Sequence, residues 1–391
     1  MARRVIIIGE DYERTLPLLE ELDRMNVSVE LWNVSRGALV STLPPPEDAV
    51  YFCRQSPSSG ARDHAASIPY VRTLLWWLHF HGRTVVNGSH AFEAEMSKSA
   101  QMAILNVHGV NTPRTCLVAT TRQLLAELLG NGSQGPVIVK PDMGGSGNGV
   151  QAFASSADAA YAVRHTWKDV PDSTLWVVQE HLNAFSDDST RMRSILRFEV
   201  VDAKVLYVMQ IRAPVTVFKL CPCDPKLESL LSKVEFRIMT DPMTIPCFRD
   251  YPGSYTRFCE KITAVWTMLG ARVGSVEAFL PVEYADDFGA DYEGGPGRTY
   301  SPESAIAPGE PVVFEINFNS NYNKTAEGMV GVFGAERVAA MLAAMAAGPP
   351  KSTAALPPPS PPAEPIAIPI LPAEWTTPLN IAVSPVHLPE L

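Results

Sequence analysis

The sequence predicts an α/β chain that continues into an α+β part, and three stretches carry that expectation. RVIIIG at residues 4–9, the leucine-rich segment Thr15 to Met25 and the apolar run Val27 to Trp32 alternate as strand, helix and strand, which opens a parallel sheet. Pro136 to Val150, PVIVKPDMGGSGNGV, is a β-branched run that ends on Lys140 and leads into closely spaced glycines. Val312 to Asn317, VVFEIN, is a late strand on which Glu315 and Asn317, two apart, project from one face.

The elements follow in order. In the first helix Leu16, Leu18, Leu19 and Leu22 are expected on the apolar side, and Asp48 to Phe52 forms a third strand. Its polar exit, Arg54 to Ser59, lies where open α/β sheets bind ligands, so Arg54 is a substrate candidate beside the alternative of a solvated loop arginine. Thr73 to Gly82 reads as an apolar helix end stopped by glycine, Val85-Val86 as a strand, and Phe92 to His108 as one helix carrying Lys98. Thr121 to Leu129 is amphipathic, and Trp176 to Leu182, WVVQEHL, is a strand whose end offers backbone to the edge of a purine. Phe198 to Val201 and Lys204 to Gln210 form a hairpin about Asp202-Ala203. Residues 213–252 carry no clear pattern, Ser254 to Leu269 is a helix, Val273 to Leu280 a strand bearing Glu277, and Ala335 to Ala347 a helix. Asp286 to Pro311 is an acidic, Gly/Pro-rich excursion. From Pro349 onward stand 13 of the 34 prolines, a density that argues against regular structure. The alternative is that Ile366, Ile368, Ile370, Leu371 and Trp375 strap the tail onto the body.

Composition narrows the chemistry. The chain has 391 residues, 46% of them hydrophobic, enough for two or three modest cores. A net charge of -10 argues against nucleic acid and anionic membranes as partners, since both need clustered Lys and Arg. The apolar run near the N-terminus stops at Gly9, and no stretch approaches a membrane span. Six scattered cysteines without a secretory pattern point to reduced thiols in the cytosol, and Cys221-Pro222-Cys223 reads as loop thiols rather than zinc ligands.

Around Lys140, two familiar glycine loops fail on context. A Walker loop has its lysine after the glycines, and a dinucleotide fingerprint opens a helix where Val150 to Phe153 stays extended. What remains is a hairpin flap whose N–H groups form an anion site, or a glycine-rich hairpin with no ligand.

Lys98, VIVKP with GGSGNG, VVQEHL, Arg197 in RFEVVDAKVLYVMQIR, and FEINFNSN, taken in that order, resemble the ATP-grasp superfamily and within it the RimK-like glutamate ligases, across roughly residues 4–345. The resemblance implies an N-terminal open α/β (pre-ATP-grasp) domain at 1–95, an ATP-lid domain at 96–182, a C-terminal domain at 183–347 and a Pro-rich tail at 348–391. It implies ATP between two sheets, with Lys98, Lys140, Gly144, Gly145, Ser146, Gly147 and Gly149 at the phosphates and Glu180, His181 and Leu182 along the adenine. Mg²⁺, or Mn²⁺ in its place, is implied on Glu277, Glu315 and Asn317, while Arg197 and Arg212 face the phosphates and the acyl group. The implied activity is an ATP-dependent carboxylate–amine ligase acting through an acylphosphate on an amino-acid or peptide-like substrate. The alternatives are a ligase joining two small amino acids and a non-catalytic nucleotide-binding protein acting through its Pro-rich tail. Two departures stand out: the aspartate expected two before the first arginine is Ile195, with Asp187 or Asp188 as substitutes, and no glycine-rich stretch follows Arg212.

Overall fold

The computed structural model describes residues 2–10, 12–35, 44–118, 120–130, 136–145, 147–166, 174–182, 192–214, 234–280 and 309–348. Ser146, residues 131–135, Asp187, Asp188, Cys221, Cys223, residues 281–308, which hold all of the acidic excursion but its last three residues, and the tail at 349–391 lie outside them. Met1–Gly348 forms one compact unit built on three sheets.

The first sheet is parallel, in the order β2 (Val29–Asn33), β1 (Val5–Gly9), β3 (Val50–Cys53), β4 (Thr84–Val86). Its central strand is a continuous apolar run because both faces are covered. Val5 and Ile7 pack with Leu18 and Leu22 of α1 (Tyr12–Arg24), whereas Ile6 and Ile8 pack with Val71, Leu74, Leu75 and Leu78 of α2 (Ser67–Phe80). Leu16, expected on the buried side, is instead 37% exposed, and Thr15 faces inward. The stretch expected as one helix from Phe92 is two, α3 (Ser89–Glu95) and α4 (Lys98–Val107). The break lies at Ser97, which is extended at φ −140 and ψ 112, and its hydroxyl accepts from Ala100 N at 3.1 Å.

The second sheet is antiparallel, in the order β5 (Thr115–Val118), β8 (Trp176–Glu180), β6 (Val137–Pro141), β7 (Gln151–Phe153). It is backed by α5 (Thr121–Gly130) and α6 (Ser156–His165). The sequence reading passed over α6, although Ser155 caps Asp158 N as the start of a helix requires. The third sheet runs β11 (Glu235–Met239), β10 (Lys204–Pro214), β9 (Met192–Val201), β12 (Val273–Phe279), β13 (Val312–Asn317), each pair antiparallel. Asp202 and Ala203 turn β9 into β10 with φ of 52 and 59, the left-handed pair that a two-residue hairpin needs.

On β9, Leu196, Phe198 and Val200 point into a core filled by α3, α4, α7 (Pro246–Asp250) and α8 (Ser254–Met268). Period two therefore turns Arg193, Ile195, Arg197 and Glu199 to the opposite face. After β13 the chain forms α9 (Lys324–Val330) and α10 (Gly334–Ala347), the latter packed on α1. Among the described residues no single helix is long and apolar enough to cross a membrane, and only the pair α9 and α10, bent by 87°, passes when taken together.

Candidate active site

The end of β6 and the start of α4 are tied together, which brings two lysines to one place. Lys98 N donates to the Asp142 carbonyl at 3.1 Å and Ser99 N to the Asp142 carboxylate at 2.8 Å, so the residues just beyond Lys140 cap the helix that Lys98 opens. Both ammonium groups line a cavity of about 180 Å³ between the second and third sheets. Lys98 Nζ donates to the Gly144 carbonyl, and Lys140 Nζ donates to Gln179 Oε1 at 3.0 Å. Burial lowers the Lys140 pKa to about 8, with the Glu315 carboxylate pulling the other way and Lys98 adding to the fall.

The opposite wall is acidic. Glu277 and Glu315 stand opposite each other on β12 and β13, and Asn317 Nδ2 donates to Glu277 Oε1 at 3.4 Å. Burial raises the Glu277 pKa to about 7, opposed by Arg197 and reinforced by Glu315 and Glu199. Arg197 donates from Nε to Glu199 at 2.6 Å and from Nη1 to Glu277 at 2.7 Å. Hard oxygen donors and carboxylate repulsion on one face suit a divalent cation such as Mg²⁺. Among the described residues no three His, Cys, Asp or Glu side chains gather as a ready-made cage, so phosphate oxygens and water would complete such a shell.

One end of the cavity is apolar, where Leu182, Ile195, Phe279 and Phe314 meet. The Phe279 and Phe314 rings stack with centroids 4.5 Å apart. Ile195, 2% exposed, thus belongs to an apolar wall.

No protein-family sequence model matches the chain, and neither does any curated protein sequence. Solved structures do. A RimK domain ATP-grasp protein from Sphaerobacter thermophilus superposes with a TM-score of 0.55 at 16% identity, covering 86% of this chain and 98% of its own. The D-cycloserine synthetase DcsG gives 0.52 at 18%, covering 87% and 98%. The chain has the ATP-grasp fold. D-alanine–D-alanine ligase from Bacillus anthracis, solved with ATP, gives 0.52 at 12%, covering 89% of this chain and 97% of its own.

Within this ATP-grasp frame the sequence candidates fall as follows. Lys98, Lys140, Gly144, Gly145, Gly147, Glu180, Leu182, Arg197, Glu277, Glu315 and Asn317 line one cavity. Gly149 and His181 do not line it. Gly149 shapes the flap from behind, with φ +74 and a would-be Cβ only 3.0 Å from Pro141. Arg212 is not brought there either. It pairs with Ser194 across the hairpin, which puts it on the other face of the sheet from Arg197, and it donates to Glu235 at 2.9 Å with its side chain 40% exposed. Arg193 lines the cavity instead, four residues before Arg197 on the same face, a spacing that strand periodicity could have revealed.

Sequence reasoning also missed Glu95, which accepts from Phe318 N at 2.6 Å and whose pKa burial raises to about 7. A carboxylate in a helix gives no sign of burial. From the N-terminal part come Arg54, the candidate at the exit of β3, and the unforeseen Arg14 of α1, Arg62 and Glu10, the last accepting from Ser59 Oγ at 2.8 Å.

At 180 Å³ the cavity is below the ~300 Å³ at which drug-sized ligand sites begin. The flap lies against the first sheet's exit loop, since a Cβ on Gly145 would stand 2.5 Å from Ser58 Oγ. Gly149→Ala should strain the flap by about 1–2 kcal/mol through its positive φ alone. The expected result is a several-fold rise in nucleotide Kd with an unchanged melting temperature for the body; an unaltered Kd would show that the flap carries no binding.

Proposed function

We propose that the protein is an ATP-dependent carboxylate–amine ligase, resembling the RimK-like ligases and acting on an amino-acid or peptide-like substrate. The observation that carries this reading is the convergence of two buried lysines with Glu277, Glu315 and Asn317 on one cavity between two sheets. Lys98, Lys140 and the glycine flap would hold the phosphates, a lysine being a point charge suited to them. The purine would lie between Leu182, Ile195, Phe279 and Phe314, with its edge on the backbone that follows Glu180. Mg²⁺ on Glu277, Glu315 and Asn317 would neutralise charge on the phosphate oxygens.

In this reading a carboxylate oxygen attacks the γ-phosphorus, the bond to the bridging oxygen breaks, and ADP leaves. The amine nitrogen then adds to the acyl carbon, inorganic phosphate leaves with the C–O bonding pair, and the nitrogen loses a proton. Arg197 and Arg193, on one face of β9, would stabilise the charge that builds on the transferring phosphoryl group and the tetrahedral oxyanion. The presence of three sheets supports a proposed division at residues 95, 182 and 347 into N-terminal, lid and C-terminal parts. Among the described residues Cys53, Cys116, Cys247 and Cys259 form no disulfide.

The test is ADP release measured against amino acids and short peptides, singly and in pairs, with products identified by mass spectrometry. Release that needs both a carboxylate and an amine supports the ligase. Nucleotide binding without release under any pair would favour a non-catalytic nucleotide-binding protein. Glu315→Gln and Asn317→Asp should shift the Mg²⁺ concentration for half-maximal release by about tenfold or more, with little change in nucleotide Kd at saturating Mg²⁺. Wild-type Mg²⁺ titrations in both variants would put the metal elsewhere.

A further inference from the structure

A second cavity, of about 390 Å³, lies beside the first, between α1 and the segment from Phe318 to Val338. Arg14, Arg54 and Asn321 line both, so they mark the seam. Arg54 Nη2 donates to the Ser320 carbonyl and to Asn321 Oδ1, each at 3.3 Å, which fixes its guanidinium at that opening. Two guanidiniums at one seam favour an anionic group, and a carboxylate suits their fork geometry.

The wall along α1 consists of Glu13, Arg14, Pro17, Leu18 and Glu21, with Arg14, Pro17, Leu18 and Glu21 spaced as a single helix face and the exposed Glu13 beside Arg14 at the rim. Glu21 lies seven positions after Arg14, or about 10 Å along the axis at ~1.5 Å per residue. The facing wall carries Phe52, Phe318 and Val338, and its charged residues Lys324 and Glu327 have partners: Lys324 pairs with Glu20 at 3.5 Å, and Glu327 accepts from Tyr207 Oη at 2.6 Å. Beyond them the charge changes sign. Glu21 and Glu336 share one guanidinium, Arg24, at 2.7 and 3.9 Å, so that end of the groove keeps an excess carboxylate. A ligand that matches this order carries a carboxylate at one end, an apolar middle and a cationic amino group ~10 Å away, the span of about three extended residues at ~3.3–3.6 Å each.

We propose that the side cavity binds a free peptide of two or three residues, its C-terminal carboxylate on Arg14 and Arg54 and its amino end toward Glu21 and Glu336. That this peptide is the carboxylate donor rests on the ligase reading; that it binds does not. The seam would then aim its carboxylate into the cavity proposed for the γ-phosphate.

The test is calorimetric titration of the full chain, with and without Mg²⁺ and a non-hydrolysable ATP analogue, using apolar di- and tripeptides such as trialanine. Each free peptide is compared with its C-terminal amide and its N-acetyl form. At least one free peptide should bind, with both blocked forms weaker by about tenfold or more. Ala335→Trp places an indole in the side cavity, of which Ala335 is a wall residue, and should abolish peptide binding at unchanged ATP-analogue Kd. Should that variant fold poorly, Glu21→Lys serves instead: it should weaken the free peptide and spare the N-acetyl form. Absence of binding by every peptide, equal binding of blocked and free forms, or indifference to the substituted residue would overturn the assignment. Failure of the ligase reading looks different, namely peptide binding with no ADP release under any amine. ADP release driven by carboxylates that are not peptides, with no peptide bound, would keep the ligase and discard this site.

Discussion

Lys140→Met should weaken nucleotide binding by about 10- to 100-fold, the loss of one charge-assisted contact worth about 1.5–3 kcal/mol, while leaving the fold intact. Methionine retains the apolar stem packed at the end of β6. Gln179 keeps its bond from Nε2 to Thr115 Oγ1 at 3.0 Å, but its Oε1 loses the Lys140 donor, a cost set against removal of the buried charge. The charge part of that balance depends on pH, and its sign follows from the shifted pKa. Burial brings the folded-state value down to about 8 from 10.5, so between those values the unfolded chain holds a proton that the folded one has released. Stability therefore rises with pH through that window, and below it the buried charge costs stability that the methionine does not. A polyphosphate reverses the balance by favouring the charged form. Nucleotide binding should take up a proton near pH 9 and weaken as pH rises past about 8, both measurable by calorimetry in buffers of different ionisation enthalpy. Unchanged affinity in Lys140→Met, or a flat pH profile in the native protein, would remove Lys140 from the phosphate site.

The fold was legible wherever period and punctuation agreed. β1 with α1, the β6 strand and the VVFEIN strand each carry an apolar repeat bounded by glycine, proline or a polar turn and formed near their expected limits, while the β9–β10 hairpin turned at Asp202-Ala203 as expected but β9 starts six residues before Phe198, at Met192. The break between α3 and α4 was missed because apolar spacing runs through it, whereas Ser97 ends one helix and caps the next by a local hydrogen bond. At the site, lysines and carboxylates on apolar strands were visible because charge at a strand end is unusual. Arg212 and Arg193 differ in legibility for a different reason. Arg193 shares a strand with Arg197, so period two gives its face, whereas Arg212 lies on β10 and only the register of β9 against β10 shows that it takes the other face. Glu95, Arg14 and Arg62 reach the cavity through packing between elements far apart in sequence, which no local pattern records, whereas Arg54 lines it from the polar exit of β3, where a ligand contact was expected.

Arg197→Ala should be the most destabilising single change in the site, by about 3–5 kcal/mol, because it strands buried carboxylates rather than removing a surface contact. Arg197 is 7% exposed and Glu199 1%, and the guanidinium is hydrogen-bonded to Glu199 and Glu277 together. With the cation gone, each carboxylate must keep a proton or remain charged in a poorly hydrated place. That choice gives the effect a pH dependence whose sign can be stated. The folded Glu277 pKa is raised to about 7 against an ordinary 4.5, so the folded state already binds a proton more tightly there than the unfolded one. The stability this contributes is complete below about 4.5 and is lost as pH rises through 7. Loss of Arg197 removes the group that holds the value down, extending the protonated range upward. The penalty should accordingly be smaller near pH 5.5, where Glu277 can stay neutral, than near pH 8, where it must ionise without its partner. Urea unfolding at the two values measures it, and Arg197→Lys separates charge from geometry. A lysine restores the charge but cannot reach Glu199 and Glu277 with separate nitrogens of one rigid fork, so it should recover part of the stability and little of any ADP release. Equal destabilisation of Arg197→Ala at both pH values would mean that the carboxylates are not what the arginine holds in place.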